Sequence, residues 1–315
     1  MKYAKPPLTL DQQADQLLQR GMVGDRDLII SRLQAVSYYR LSGYWYPFRL
    51  PNPADPSLRQ DRFRDGTSFE EVWNRYAFDR RLRLLVMDAI ERIEVAVRSQ
   101  LAYHHAHRHG AFAYAGDQQT LPSPQSGERR QRFLEELARQ YKQSTETFVE
   151  HFRTKYGDQH DCLPVWMACE VPTFGGMLTF HRGCHPDIRR EIARPFGVHD
   201  TVFDSWLLAI NTVRNVCAHH GRLWNRELGT KPKIPAKDPA WNTPVTVGND
   251  RVFGGLTLCK WSLDRIAPQS RWADRLRDLL EEFPAIPLVS MGFPTNWQQC
   301  PIWAPPAAAS QGKKT

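Results

Sequence analysis

The sequence lacks several patterns that mark common classes of protein. It has no Walker phosphate-binding loop, no G-x-G-x-x-G fingerprint, no internal repeat and no convincing strand pattern longer than a few residues. No pair of carboxylates suited to Mg²⁺ stands out either. A transferase that adds nucleotides to RNA or protein is therefore disfavoured, because such an enzyme needs those elements.

Signals for export or membrane insertion are also missing. The start, MKYAKPPLTL, has no apolar signal-peptide region. No run of about 18 apolar residues, the length that marks a membrane-spanning helix, occurs anywhere. The six cysteines are scattered without any C-x-x-C pair. We therefore expect a cytoplasmic protein with reduced thiols and no membrane partner.

The charge is unbalanced toward the basic side. Among 315 residues, 42 are lysine or arginine and 34 are aspartate or glutamate, which gives a formal net charge of +8. An isoelectric point near 9.3 suits a polyanionic partner such as RNA, although basicity alone does not require one.

The longest periodic run covers residues 69–109. Apolar residues keep helical spacing along it, and neither proline nor glycine interrupts it before Gly110. This predicts one helix of roughly 60 Å, or two helices with a kink. Within the run, Glu94 and Arg98 form an i,i+4 pair, either on the surface or partly buried among flanking apolar residues. A buried pair could position another site.

Turn-rich and proline-rich stretches divide the chain. Residues 1–66 are predicted to be an N-terminal helical segment with an aromatic turn and a loop at 51–66. Residues 67–235 are the helical core, 236–306 hold C-terminal helices and a Pro/Trp-rich packing segment, and 307–315 are a disordered tail. The aromatic turn, YYRLSGYWYPFRL, is either a platform for RNA bases or, as we favour, ordinary packing between two elements.

Two histidine pairs have the i,i+4 spacing of metal ligands, His105 with His109 and His181 with His185. No carboxylate or cysteine stands near the first pair to complete a ligand shell, and the second has only Cys184 beside it. We therefore expect frayed helix ends rather than a metal site, and we predict no metal and no cofactor.

The chain is organised around residues 206–224, WLLAINTVRNVCAHHGRLW. Apolar residues recur along one side of a predicted helix: Trp206, Ile210, Val213 and Cys217. Polar residues four apart form a row on the opposite side: Asn211, Asn215 and His219. Arg214 lies at the edge of this row, and Gly221 is predicted to end the helix. Since a solvated face normally carries Glu and Lys, this polar row is typical of a face that meets a partner.

An arginine and a histidine in this arrangement are suited to cleaving RNA. The 2′-hydroxyl beside each phosphate is a built-in nucleophile, so cleavage needs proton transfer and charge stabilisation rather than a metal. Histidine has the right pKa for proton transfer near neutrality. The planar fork of arginine fits phosphate oxygens. General acid and general base need two imidazoles, so a second copy of the chain is expected to supply the other.

A structural interpretation of the same residues stays open. Arginine and histidine are ordinary near the C-terminus of a helix, because the helix dipole favours cations there. The step from Arg214 to His219 is five residues, roughly 140° around an ideal helix. The two side chains converge only if Arg214 wraps around the helix or the last turn loosens.

A basic, proline-stiffened segment follows the motif and could hold the substrate backbone. We predict RNA contacts from its four cations: Arg222, Arg226, Lys231 and Lys233.

Four stretches of the sequence resemble one known family. They are YYRLSGYWYPFR, FDRRLRLLVMDAIERIEVAVRSQLAYHHA, RNVCAHHGRLWNRELGTKPKIP and MGFPTNWQQCPIW, in this order along nearly the whole chain. The chain resembles the bacterial Abi-like proteins, the abortive-infection group of AbiD/AbiF type. The resemblance implies an all-α fold, a HEPN-type helical bundle with one long helix and additional N- and C-terminal helices.

The resemblance also implies a function. HEPN proteins include metal-independent endoribonucleases of phage defence and toxin systems, and they commonly place two motifs across a homodimer interface. Arg214, Asn215 and His219 match their catalytic pattern. We add His220, Glu94, Arg98 and Asn211 as supporting residues. The partners implied are RNA and a small-RNA or protein antitoxin. The alternative is a HEPN protein that binds or senses RNA without cutting it.

Overall fold

The computed structural model describes residues 6–121 and 127–304. The predicted tail at 307–315 lies outside the described residues. The all-α prediction is confirmed, since 63% of the structure is helix and 4% is strand. Among the described residues, none of the helices combines the length and the apolar character needed to cross a bilayer.

The helices are, in chain order, α1 (Leu10–Gln19), α2 (Arg26–Ala35), α3 (Tyr38–Trp45), α4 (Phe69–His109), α5 (Ala113–Gly116), α6 (Gly127–Gln143), α7 (Thr147–Tyr156), α8 (Val165–Ala168), α9 (Phe174–Gly183), α10 (Pro186–Ala193), α11 (Asp200–Ala218), α12 (Val252–Ile266) and α13 (Trp272–Glu282). Two strands, β1 (Arg49–Pro51) and β2 (Arg59–Phe63), pair in antiparallel orientation. The described residues divide into two compact units. One unit holds the chain up to Arg83 with Leu276–Pro287, and the other holds Leu84–Arg275 with the chain from Leu288 onward.

Helix α4 is the single long helix predicted from the periodic run. It is 41 residues long, about 60 Å at the usual helical rise. A capping box opens it: the Ser68 hydroxyl accepts from the Glu71 amide at 3.1 Å, and the Ser68 amide donates to the Glu71 carboxylate at 3.2 Å. Gly110 ends it in a left-handed conformation, with φ of 85°. Local signals alone therefore fix both ends of this helix.

The prediction of a plain loop at 51–66 is wrong, because β2 lies within it. The polar sequence of β2, RQDRF, carries no strand pattern. Distant contacts hold the strand in place: the Phe63 amide donates to the Arg20 carbonyl at 2.8 Å, and Asp61 pairs with Arg20 and Arg49 at 3.2 and 3.1 Å. Tertiary pairing thus overrides local preference here.

The prediction of an aromatic turn is wrong, because most of this stretch forms α3, capped by Ser37, and it packs into the first unit. Tyr44 and Trp45 are fully buried, and the Tyr44 hydroxyl donates to the buried carboxylate of Asp79 at 2.6 Å. Asp79 also pairs with Arg83 one turn further along α4. Burial raises the pKa of Tyr44, so its hydroxyl stays protonated as the donor. Tyr44 and Trp45 therefore pack between elements, as we favoured, whereas Tyr39 and Tyr46 remain exposed.

The prediction of frayed ends at the histidine pairs is wrong for His105 and His181, which are both completely buried. The His105 ring packs 5.5 Å from Phe180, centroid to centroid, inside a helix that stays regular. Aromatic neighbours from distant elements bury these rings as neutral imidazoles, and burial lowers the pKa of each to about 4. No group of three or more His, Cys, Asp or Glu suited to a metal ion occurs in the described part of the chain.

Candidate functional site

Helix α11 carries the candidate site on its last turn. His199 caps its start, and its ring nitrogen accepts from the Thr201 amide at 3.4 Å. The predicted apolar stripe faces the core, since Trp206, Ile210 and Cys217 are at most 4% exposed and Val213 is half-buried. The Trp206 indole donates to the Lys233 carbonyl at 2.8 Å, which ties the helix to the segment that follows it. Burial of this stripe orients the opposite, polar row outward.

The helix ends differently from the prediction, because His220 rather than Gly221 adopts the left-handed conformation. His219 is the cap residue, and His220 has φ of 56°. The His220 amide donates to the Cys217 carbonyl at 3.0 Å, and the Gly221 amide donates to the Val216 carbonyl at 2.7 Å. This pair of bonds is the Schellman motif. At Gly221 the favoured glycine reflects close packing instead, since a Cβ there would lie 3.1 Å from the Val216 carbonyl oxygen.

The three motif side chains have no internal partner among the described residues. Arg214 is half-buried, while Asn215 and His219 are exposed. Within this part of the chain, none of the three makes a side-chain hydrogen bond or an ion pair, and the Nε of Arg214 is buried without an acceptor. An unsatisfied buried donor costs about 1–3 kcal/mol, so this conformation of Arg214 is not one that the fold rewards.

The last turn of α11 does not loosen before the histidine. The His219 amide donates to the Asn215 carbonyl at 3.0 Å, the ordinary helical bond. Arg214 and His219 therefore leave the backbone roughly 140° apart. Because the last turn is regular, the side chains of Arg214 and His219 can meet only if the long Arg214 side chain reaches around the helix.

Glu94 and Arg98 form a largely buried brace rather than a surface pair. The Arg98 Nε donates to Glu94 at 3.2 Å, and the guanidinium also donates to the carbonyls of Cys169 and Pro172, the latter at 2.7 Å. These bonds fix the segment that leads into α9. There, a Cβ on Gly175 would lie 3.8 Å from the Asn211 amide nitrogen. Arg98 therefore contacts α11 only indirectly, through this segment. Among the described residues, it makes no hydrogen bond to Arg214 or His219.

A comparison with models of protein families shows which family the chain belongs to. The model of the Abi-like protein family matches residues 31–225, more than half of the sequence. The chain belongs to the Abi-like family. The match covers Glu94 and Arg98 and ends just after the Arg214–His219 motif. The family's name points to a role in abortive infection, a form of defence against phage. A comparison with curated proteins and one with solved structures found no match.

The basic segment of this Abi-like protein is split between two places. Arg226 lies at the end of α11, where its Nε donates to the Arg222 carbonyl at 2.6 Å. The chain then runs back along the helix, since the Lys233 amide donates to the Ser205 hydroxyl at 2.9 Å. Ser205 is fourteen residues before His219, about 20 Å along the helix. Arg222 and Arg226 therefore lie beside the motif, while the exposed Lys233, with Lys231, lies along the helix away from it.

A residue that sequence reasoning missed in the Abi-like chain is Arg251. Its guanidinium donates to the Asn225 side-chain oxygen at 3.3 Å and to the Ser290 carbonyl at 3.4 Å. Asn225 is the second non-glycine residue with a left-handed backbone, at φ of 52°. Arg251 thus braces the far end of the loop that begins at His220. No local pattern could have indicated this, because the two residues are 26 positions apart.

Proposed function

We propose that this Abi-like protein is a metal-independent endoribonuclease of HEPN type that acts as the toxin-like component of a phage-defence system. The observation that carries the proposal is that Arg214, Asn215 and His219, at the end of a well-anchored helix, find no partner among the described residues. A guanidinium that only fixed the fold would be expected to find an internal acceptor, as Arg98 does.

In the proposed reaction, Arg214 binds the oxygens of the scissile phosphate and stabilises the charge that builds up there. One His219 removes the proton from the 2′-hydroxyl, whose oxygen attacks phosphorus. The bond from phosphorus to the 5′-oxygen breaks, and a second imidazole protonates that oxygen. The products are a 2′,3′-cyclic phosphate and a 5′-hydroxyl.

The second imidazole is assigned to His219 of another copy of the chain, in a homodimer. In this proposal Asn215 holds the histidine tautomer or touches a phosphate oxygen. His220 is an additional imidazole that the Arg-Asn-x-x-x-His pattern does not require, and it lies one residue after the cap of α11. Its exposed position still leaves it a supporting role.

The competing function is RNA binding or sensing without cleavage, with a small RNA as partner. The observation in its favour is the regular last turn of α11, which keeps Arg214 and His219 on different sides of the helix. In that case the exposed cations of the segment after α11 would carry the binding, and His219 would have no chemical role.

Cleavage of an end-labelled RNA pool by the full chain, with EDTA present, separates the two functions. We expect cyclic-phosphate ends from the wild type, loss of cleavage in His219→Ala, and RNA binding within about twofold of the wild type in that variant. His151→Ala is the matched control, since His151 is an exposed histidine on α7. Cleavage that requires a divalent ion, or that survives in His219→Ala, would contradict the proposed mechanism.

A further inference from the structure

A cavity between α6 and α9 collects arginines away from the motif. Arg129, Arg130 and Phe133 of α6 line one side of it, and Thr179, Arg182 and Gly183 of α9 line the other. Among the described residues, no carboxylate belongs to this lining. The Phe133 ring packs against Phe180 at an interplanar angle of 53°, with 5.4 Å between ring centroids, and so holds α6 on α9 beside the cavity.

The arginines leave the cavity with an excess of positive charge. Arg182 is held by two hydrogen bonds to Asp204, at 2.7 and 2.8 Å, which offset its charge and fix its guanidinium. Arg130 makes only long hydrogen bonds, 3.4 Å to each of the carbonyls of Tyr114 and Ala115. Its Nε is buried and finds no acceptor among the residues that the structure describes. Arg129 adds a further charge at the exposed rim.

We propose that this cavity binds a nucleotide through its phosphate. Arginine forks match phosphate oxygens bidentately, and the long hydrogen bonds of Arg130 leave its guanidinium able to turn toward a phosphate. The half-buried ring of Phe133 supplies a face for the base, since bases stack on aromatic rings and on guanidinium planes. Arginine and phenylalanine side by side thus suit both halves of a nucleotide.

The nucleotide site is separate from the cleavage motif. Arg182, at the end of α9, pairs with Asp204 near the start of α11, whereas Gly175, at the start of α9, lies against Asn211, seven residues further along α11. Helices α9 and α11 are therefore antiparallel, and the cavity lies about 15 Å along α11 from Arg214. The site does not depend on whether the chain cuts RNA. Its ligand is either a free nucleotide or one nucleotide of an RNA strand, which share the same chemistry.

The test is calorimetric titration of the full chain with three probes: inorganic phosphate, adenosine 5′-monophosphate and a 2′-O-methylated RNA decamer that cannot be cleaved. The Arg129→Ser/Arg130→Ser double variant is expected to bind the nucleotide probe at least tenfold more weakly. For this variant, the slope of log affinity against log salt concentration should be shallower by about one unit for each phosphate that the variant no longer neutralises. Arg139→Ser is the matched control, because Arg139 is an exposed arginine on the same helix that pairs with Glu136.

Each outcome decides the proposal. Mononucleotide binding that disappears in the double variant supports a free nucleotide, whereas disappearance of decamer binding alone supports an RNA strand. Phe133→Leu should weaken the nucleotide probe more than inorganic phosphate. Unchanged affinity in the double variant, or no binding of any probe, overturns the proposal. If the double variant melts early, Arg129→Ser alone, at the exposed rim, replaces it. His219→Ala should retain this binding, so the outcome is independent of the cleavage assay.

Discussion

The Gly221 amide donates to the Val216 carbonyl at 2.7 Å across His220, whose backbone is left-handed. A non-glycine residue is strained in this conformation, by about 1 kcal/mol relative to glycine. Such strain beside a candidate site is a reason to test the residue that bears it.

We predict that His220→Gly is more stable than His220→Ala by about 1 kcal/mol. Both variants lack the imidazole, so the comparison isolates the backbone. Urea unfolding measures the difference in free energy of unfolding. Equal stability would mean that the turn relaxes at no cost. Both variants should keep RNA cleavage, because His219 is the proposed acting imidazole; loss of cleavage in both would transfer that role to His220.

Arg214→Lys should lower kcat for RNA cleavage by about 10- to 100-fold while RNA binding weakens little. Lysine keeps the positive charge but loses the planar fork, and the shorter reach of its single charged nitrogen cannot wrap around the helix in the same way. Single-turnover kinetics on labelled RNA measure the change. Arg194→Lys, at an exposed position outside the motif, is the control. An equal loss in both variants would refute a specific role for Arg214.

A site that needs one His219 from each of two subunits makes a quantitative prediction for mixed dimers. Equal amounts of wild-type and His219→Ala chains, unfolded and refolded together, should give about a quarter of wild-type cleavage, because only wild-type pairs carry both imidazoles. Independent sites would give about half. Activity near half, with mixed dimers verified by native mass spectrometry, would exclude the shared site.

The buried histidines predict a loss of stability in mild acid. Burial lowers the pKa of His105 and of His181 to about 4, below the unfolded value near 6.5. Between these values only the unfolded chain takes up the protons. Stability is therefore full above pH 6.5 and falls as the pH drops toward 4, by roughly 1.4 kcal/mol per unit and per histidine.

Urea unfolding at pH 7 and pH 5 measures this loss for the wild type and for His105→Leu. The variant should lose about 2 kcal/mol less than the wild type over this range. The exposed His151→Leu should behave as the wild type does. Asp204, 3.8 Å from the Nδ1 of His181, favours the charged ring and reduces the effect there. Identical pH profiles for His105→Leu and the wild type would contradict the burial argument.

Local signals in the sequence are sufficient for α4 and α11, but not for α3, which lies in the stretch predicted as an aromatic turn. The capping box at Ser68 and the uninterrupted periodicity predict α4 from end to end, and the apolar stripe predicts the buried side of α11. These features depend on residues three to seven positions apart, which a sequence pattern contains directly.

Features made by distant residues are not predictable in this way. His105 is buried by Phe180, 75 positions away, and β2 is held by Arg20, about 40 positions before it. Glycine's preference for the left-handed conformation predicts Gly221 as the residue that ends α11, whereas His220 adopts that conformation. Gly221 instead packs closely against the Val216 carbonyl oxygen. Long-range packing decides such cases, and propensity is only a weak guide to them.

The brace from Arg251 to Asn225 has a consequence for dissecting the protein. The family match stops at residue 225, whereas Arg251 and the Ser290 carbonyl that anchors it come later in the chain. A fragment limited to residues 31–225 would keep Arg214, Asn215 and His219. It would lack Arg251, whose hydrogen bond to Asn225 holds the far end of the loop after α11. The smallest fragment that preserves this loop therefore extends well past residue 225, to include Arg251 and Ser290.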